Sequence, residues 1–467
     1  MASDLEAFFN PRRVAVVGAS ARKASVGGVI FRNFLKPGFK GVAYPVNPRA
    51  ADVLGIKSFE RITAIPDPID LAVLAIPAGI VPKIMLDCEA KQVKAVIIIS
   101  GGFKETGPEG AYLEQQVVDI AKRSGIRVIG PNCVGIYDTN TSVDTTFLPS
   151  SRMGRPGKGY ISFISQSGAF AAAFLDWTEM AGIGVSRVVS FGNKADVDEI
   201  DILGYFGKDS ETKVVVEYME GLNPSTGGRY LQIAREVTRT KPVIVVKSGR
   251  TARGSAAAAS HTGALAGDAK IYDFAFHQAG ILTARDFEEA FDQAKTLVSQ
   301  PPTKGNRVLI VTDAGGAGVM TVDACSARGL DVPAPPEKLR KELAAHLPGY
   351  CSTNNPVDLT GDTDAKRYQT VLELLLPTQY FDAAIVVVMM QIPLLNLDIV
   401  DRLAAIARSY QKPIVACTAG GHFTQQAARM LEEAGIPALP SPARAARAMW
   451  ALVEYGRIRR TFAKRNE

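Results

Sequence analysis

Short, continuous apolar runs recur along this chain, each followed by a longer stretch of helical period. In the first third the runs fall at 14–17, 42–46, 71–76, 95–99 and 127–129, with helical patterns at 81–91 and 111–124. Runs this brief and uniformly apolar predict strands buried on both faces, as in parallel sheets covered by helices. The polar residues 138–140 and the Pro-, Gly- and Arg-containing segment 149–159 predict a first linker. The alternation restarts with strands at 160–164, 185–189, 214–216 and 243–246, and helices at 169–181, 229–240 and 287–299. A second linker is predicted at 300–305, and a third block follows with strands at 307–311, 383–388 and 413–416 and a closing helix at 443–455. The pattern divides the chain into 1–148, 149–302 and 303–467: a nucleotide-type domain, then two flavodoxin-like units that open alike, with strand, small-residue turn and helix.

Composition agrees with that reading. At 467 residues, 47% hydrophobic and 21% charged, the chain has room for about three well-cored domains and is not a disordered polymer. Its net charge of +6 is spread rather than blocked, which suits an anionic small molecule as well as nucleic acid. The five cysteines are scattered, odd in number and without metal spacing, as expected of reduced thiols. The acid-bearing start carries no secretory pattern, and the longest apolar run, 383–390, is too short for a bilayer. A cytoplasmic soluble protein, with no membrane and no nucleic-acid partner, is expected.

Each block offers a site for an anion. The first strand leads into Gly18-Ala19-Ser20, then Arg22 and Lys23, then Gly27-Gly28 opening a helix. Such a turn lets phosphates approach backbone N–H groups at a helix start. The second strand ends in Asn47-Pro48-Arg49. NAD would want a carboxylate there, whereas Arg49 suits a phosphorylated ribose and so favours NADP or coenzyme A. The second block offers Ser165-Gln166-Ser167-Gly168 between a strand and a helix, which is either an anion site or ordinary capping. The third offers Gly315-Gly316-Ala317-Gly318, too glycine-rich for a cap alone. Asp313 just before it is a puzzle. A carboxylate about 6 Å from a dianionic phosphate costs roughly 5–6 kcal/mol at an effective dielectric of 20, so Asp313 must point away, be protonated or bind a cation.

One of only four histidines, His261, lies in the small-residue segment 260–267. Imidazole is nucleophilic near neutral pH and can carry a phosphoryl group, although a surface histidine in a linker would read alike. Two acids precede it, Glu217 and Glu220. Glu220, beside Gly221 at the strand's end, is the better placed to orient an imidazole.

Together these motifs resemble the nucleoside-diphosphate-forming acyl-CoA synthetases, relatives of succinyl-CoA synthetase, over essentially the whole chain. The likeness is carried by Pro45-Val46-Asn47-Pro48, Gly101-Gly102-Phe103-Lys104-Glu105-Thr106-Gly107, Gly130-Pro131-Asn132-Cys133-Val134-Gly135 and Ser165-Gln166-Ser167-Gly168. Residues 190–198, the histidine segment, the Gly315–Gly318 turn and Asn355-Pro356-Val357-Asp358 complete it. The resemblance implies an α/β chain with a Rossmann-like CoA-binding domain followed by two succinyl-CoA-synthetase-type flavodoxin-like domains. It implies a reversible reaction of acyl-CoA, phosphate and ADP to acid, CoA and ATP, through an acyl phosphate and a phosphohistidine. By the same resemblance His261 carries the phosphoryl group and Glu220 orients it. Ser165, Gln166, Ser167 and Gly168 bind phosphate with Gly315, Gly316, Ala317 and Gly318. Gly18, Ala19, Ser20, Asn47, Pro48, Pro77, Ser100, Gly101 and Pro131 line the CoA site, with Arg49 added from its charge, and Asn193 sits near the acyl pocket. No protein metal site is implied. This family usually has Asn in place of Asp313 and often Pro in place of Ala317. No segment remains for a nucleotide-grasp domain, so ADP or ATP with Mg2+ is expected on a separate β subunit of a hetero-oligomer. The competing expectations are a CoA- or acyl-CoA-binding regulator of the same fold and an NADP oxidoreductase using the first block.

Overall fold

A computed structural model describes residues 5–223, 225–251, 253–254 and 269–464. They form two compact units, Met1–Ile281 and Leu282–Glu467.

In the first unit, one sheet is wholly parallel, in the spatial order Val42–Val46, Arg13–Val17, Leu71–Leu74, Ala95–Ile98, Arg127–Ile129. The middle three strands are buried nearly throughout, which is why they read as unbroken apolar runs. Helices Val81–Ala90 and Pro108–Ser124 cover one face; Gly125, left-handed at φ 72°, ends the latter. The other face packs with Phe8, Phe9, Phe31 and Phe34.

A second sheet in the same unit orders Gly135–Asp138, Val185–Ser190, Lys158–Ser165, Val214–Met219 and Val243–Lys247. The polar stretch expected as a linker begins in an edge strand. Gly135–Asp138 runs antiparallel to Val185–Ser190. Asp138 is fully buried because the Arg187 guanidinium lies 2.8 Å from it, so a residue that looks like linker is neutralised inside the fold. The pair also shows in the Asp138 carboxyl, which burial raises and Arg187 pulls back.

The second unit holds a parallel sheet in the order Val357–Asp358, Val308–Thr312, Ala383–Val387, Ile414–Cys417, Ala438–Leu439. Helices Phe287–Ser299 and Pro442–Lys464 pack together in this unit and are joined by Arg444 to Asp292 at 2.8 Å. The two-residue edge strands carry no periodicity and are invisible to pattern reading. Among the described residues no helix is long and apolar enough to cross a membrane. The five cysteines form no disulfide.

Candidate active site

In all three sheets the first strand of its block is flanked by the second on one side and the third on the other, so the order reverses beside it. Ligands of open α/β sheets collect at that reversal, outside the carboxyl ends of the strands. The three small-residue turns leave there.

At the first, Gly18 follows Val17 with φ 90°, and a Cβ on it would lie 2.3 Å from the Ala75 carbonyl oxygen of the adjoining strand end. A Cβ on Gly27 would lie 2.2 Å from the Gly18 oxygen, so turn and helix start touch backbone to backbone. Only glycine permits either approach. Helix Val26–Phe34 is capped by Ser25, whose Oγ accepts from Gly28 N at 3.2 Å. Asn47 Nδ2 donates to the Ala19 oxygen at 2.8 Å and so ties the second strand's end to the turn. Ser100 Oγ donates to the Ile76 oxygen and accepts from Ile76 N at 3.2 Å, bracing the third strand's end. Ala19 and Pro131 are buried, Ser20 half-buried, and Pro48, Arg49, Pro77 and Gly101 exposed. Arg22 and Lys23 follow the glycine turn and Arg49 follows the second strand's end, all three exposed, a donor set that fits a phosphorylated ligand such as CoA.

At the second reversal, Ser165 Oγ donates to the Ser167 oxygen at 2.7 Å and accepts from Ser167 N at 3.2 Å, closing a tight turn. Ser167 caps helix Gly168–Met180, its Oγ accepting from Phe170 N at 3.4 Å. The hydroxyls of Ser165 and Ser167 thus brace the turn, and the first N–H groups of the helix, which have no acceptor within it, remain to face an anion. Gln166 reaches across the reversal instead. Its Oε1 accepts from Glu220 N at 2.6 Å and Gly221 N at 3.0 Å, and its Nε2 donates to the Gly221 oxygen at 2.9 Å. Lys247 Nζ, 4% exposed as a residue, donates to the Glu220 oxygen at 2.7 Å. Burial first, and Arg250 second, lower its ammonium.

Glu217 lies deeper in the same strand, fully buried. Tyr230 OH donates to its Oε2 at 2.7 Å, while Oε1 has no partner. Burial, then Glu199, push its carboxyl up to about 8. It is a core acid shifted toward its protonated form, apart from Glu220 at the strand's end.

The third reversal repeats the second with other residues. Thr312 Oγ1 donates to the Ala314 oxygen at 2.9 Å and accepts from Ala314 N at 3.0 Å, as Ser165 does with Ser167. Helix Gly315–Ser326 follows, so Gly315, Gly316 and Ala317 present its first N–H groups, and Gly318 N bonds back to the Ala314 oxygen at 2.9 Å. A Cβ on Gly315 would lie 2.6 Å from Asp358 Oδ2, placing the Asp358 carboxylate beside this helix start. Asp313 turns inward, 3% exposed, and its Oδ2 accepts from Met389 N at 2.8 Å.

Asn193, expected near the acyl pocket, is held by two acids. Its Nδ2 donates to Glu105 Oε2 at 2.6 Å and Glu114 Oε2 at 2.9 Å, tying it to the glycine loop after the fourth strand. His261 and its segment lie outside the described residues. Among the described residues no group of three His, Cys, Asp or Glu side chains is placed to hold a metal.

Three family models match in this order: a CoA binding domain over 12–139, a succinyl-CoA ligase like flavodoxin domain over 158–297, and a ligase-CoA domain over 308–458. The α subunit of ADP-forming acetate–CoA ligase I of Pyrococcus furiosus is 41% identical over 463 residues, 97% of this chain and 98% of that protein. The chain belongs to the ADP-forming CoA ligase family. ADP-forming acetate–CoA ligase I of Archaeoglobus fulgidus is 39% identical, and this chain spans 64% of its greater length. Among solved structures, dinucleotide forming acetyl-coenzyme A synthetase 1 of Candidatus Korarchaeum cryptofilum, in complex with phosphate and ADP, matches with a TM-score of 0.92. It is 37% identical, over the full length of both chains.

Pattern reading missed two contacts of this site: the grip of Gln166 on Glu220 and Gly221, and the bond of Lys247 to the Glu220 oxygen. The only sequence signal was that each sits within a motif or at a strand end.

Proposed function

We propose that this ADP-forming CoA ligase chain is an α subunit that converts acyl-CoA, phosphate and ADP reversibly to acid, CoA and ATP. Phosphate displaces CoA from the acyl group, the acyl phosphate passes its phosphoryl group to His261 and leaves as the acid, and phosphohistidine delivers that group to ADP. The observation that carries this reading is the second reversal, where Gln166 fixes the Glu220–Gly221 peptide beside a helix start able to take a phosphate.

In this reading Glu220 orients His261. Ser165, Gln166, Ser167 and Gly168 form one phosphate-binding turn, with Gly168 supplying a first-turn N–H and Gln166 acting through Glu220. Gly315, Gly316, Ala317 and Gly318 form the other. CoA takes the turn of Gly18, Ala19 and Ser20 with Asn47, Pro48, Arg49, Pro77, Ser100, Gly101 and Pro131, and Asn193 stands by the acyl group. The functional modules are 1–148, 149–302 and 303–467. The nucleotide, ADP or ATP with its Mg2+, binds a nucleotide-grasp β subunit in a cytoplasmic hetero-oligomer. The relatives supporting that division are α subunits of this length and a longer single-chain ligase. The inward turn of Asp313 supports turnover over a merely regulatory role, because its charge is not directed at the helix start.

The test is incubation of the purified chain with acetyl-CoA and labelled phosphate, without nucleotide. Acid-labile, base-stable label is expected on wild type and none on H261N. Label of equal amount on H261N would overturn the carrier role.

A further inference from the structure

The turn before Asp196 holds a lysine to which neither the sequence reading nor the proposed mechanism gives a task. Lys194 has φ 57°, in the left-handed region, where a lysine is uncommon. Its neighbours enforce that shape. Asn193 N donates to the Pro131 oxygen at 2.9 Å, Ala195 N to the Gly130 oxygen at 3.0 Å, and Lys194 N to the Phe191 oxygen at 3.2 Å. A Cβ on Gly192 would lie 2.2 Å from the Asn132 oxygen, so the turn rests directly on the backbone at 130–132.

From this shelf the side chain runs inward. Its Nζ lies 3.0 Å from Glu199 Oε2, and the side chains are 14% and 1% exposed. The same Nζ lies 5.8 Å from the centre of the Phe191 ring and donates to the Gly221 oxygen at 3.0 Å. Gly221 is the residue after Glu220, and Gln166, at the end of the adjoining strand, donates to the same carbonyl through Nε2. Backbone that is held by two side chains from separate elements, one of them a half-buried ammonium, has little freedom to shift. Strained residues persist where their surroundings over-determine them, and such places cluster at functional sites.

We propose that Lys194 is a positioning residue for Glu220, acting through the Gly221 carbonyl, with Glu199 anchoring its ammonium. The inference rests on the reading of Glu220 as the acid that orients His261. The lysine touches no substrate: it holds the carbonyl of the residue after Glu220, and through it the backbone from which the carboxylate is aimed. Small displacements of an aimed group cost rate far more than affinity.

The test compares rates of phosphoryl labelling from acetyl-CoA and phosphate in wild type, K194M, E220Q and K194M/E220Q. K194M keeps an unbranched stem of similar length and removes the ammonium. Since this strands the Glu199 carboxylate, K194M/E199Q is made as well, and CoA affinity within about twofold of wild type marks an intact fold in each. K194M and K194M/E199Q are expected to label about tenfold more slowly at saturation, with half-saturating acetyl-CoA unchanged. Adding K194M to E220Q should slow it no further, because residues acting through one group are not additive. K194M labelling at the wild-type rate while E220Q is slow would overturn the proposal alone, as would a full K194M effect on top of E220Q. E220Q labelling at the wild-type rate would overturn the assignment of Glu220 and the proposal with it.

Discussion

The Asp313 carboxylate accepts a 2.8 Å hydrogen bond from the Met389 N–H, and so ties the end of the first strand of its sheet to the end of the third. Gln166 makes the corresponding tie with Glu220 N at 2.6 Å in the other unit. A Gln and an Asp, unlike in length and charge, brace equivalent strand ends. The electrostatic conflict posed by an acid before the Gly315–Gly318 turn is relieved by direction, since the charge faces the sheet.

That tie leaves a titration behind. Burial raises the Asp313 carboxyl from 3.8 to about 6, and Oδ1 has no partner. An acid raised on folding stabilises fully below its unfolded value, and the benefit is lost as pH rises from about 4 through about 6. Asp313→Asn keeps an acceptor for Met389 N without the charge. Denaturant titration should find it more stable than wild type by about 1–2 kcal/mol at pH 8, the gain vanishing toward pH 4.

Glu217 predicts the same sign in a higher window. Its carboxyl stands at about 8, raised chiefly by burial and next by Glu199, so its stabilising effect fades as pH climbs from about 4.5 through about 8. Glu217→Gln retains an acceptor for Tyr230 OH. At pH 9 its melting temperature should exceed that of wild type, and at pH 6 the order should reverse or close. Because Glu217 is apart from the turn, phosphoryl labelling at pH 7 should stay within about twofold of wild type.

Gly18→Ala should fail at the CoA cradle. The residue's φ of 90° and the 2.3 Å approach of a Cβ to the Ala75 oxygen both exclude a side chain. A loss of about 2 kcal/mol or more in stability is expected by denaturant titration. Calorimetry should find CoA binding weakened at least tenfold even under conditions where the variant is folded.

Ser165→Ala removes both bonds that close the turn before helix Gly168–Met180. A cost of about 1–2 kcal/mol is expected, with slower phosphoryl labelling and unchanged CoA affinity, since the cradle at Gly18 is built from other strands. Wild-type labelling by this variant would show that the turn's shape is immaterial to phosphate.

Most of the architecture was legible because buried parallel strands must be apolar on both faces. Runs such as 14–17, 95–99 and 383–388 therefore announce themselves, and the turns after them follow from glycine and serine. Where a polar residue was neutralised by a distant partner, the reading failed. Asp138 reads as a loop residue until Arg187, 49 positions away, is beside it. The bonds of Gln166, expected in a phosphate-binding turn, to Glu220 and Gly221 were likewise not legible, since their partners lie 54 and 55 positions away. Nor could spacing along the chain tell that the amide of Asn193, expected near the acyl pocket, is engaged by Glu105 and Glu114.

By itself, then, the order of residues determined the alternation of strand and helix, the three glycine or serine turns and the chemistry each could offer. All of these follow from local geometry and from which faces must avoid water. The tertiary structure alone decided where Asp313 points, which acid of one strand is buried beside Tyr230 and which is held at the strand's end, and that Lys194 meets Gly221. Hydrogen bonds and charges act over about 3 Å, and only folding brings residues 27 or 76 positions apart within that range.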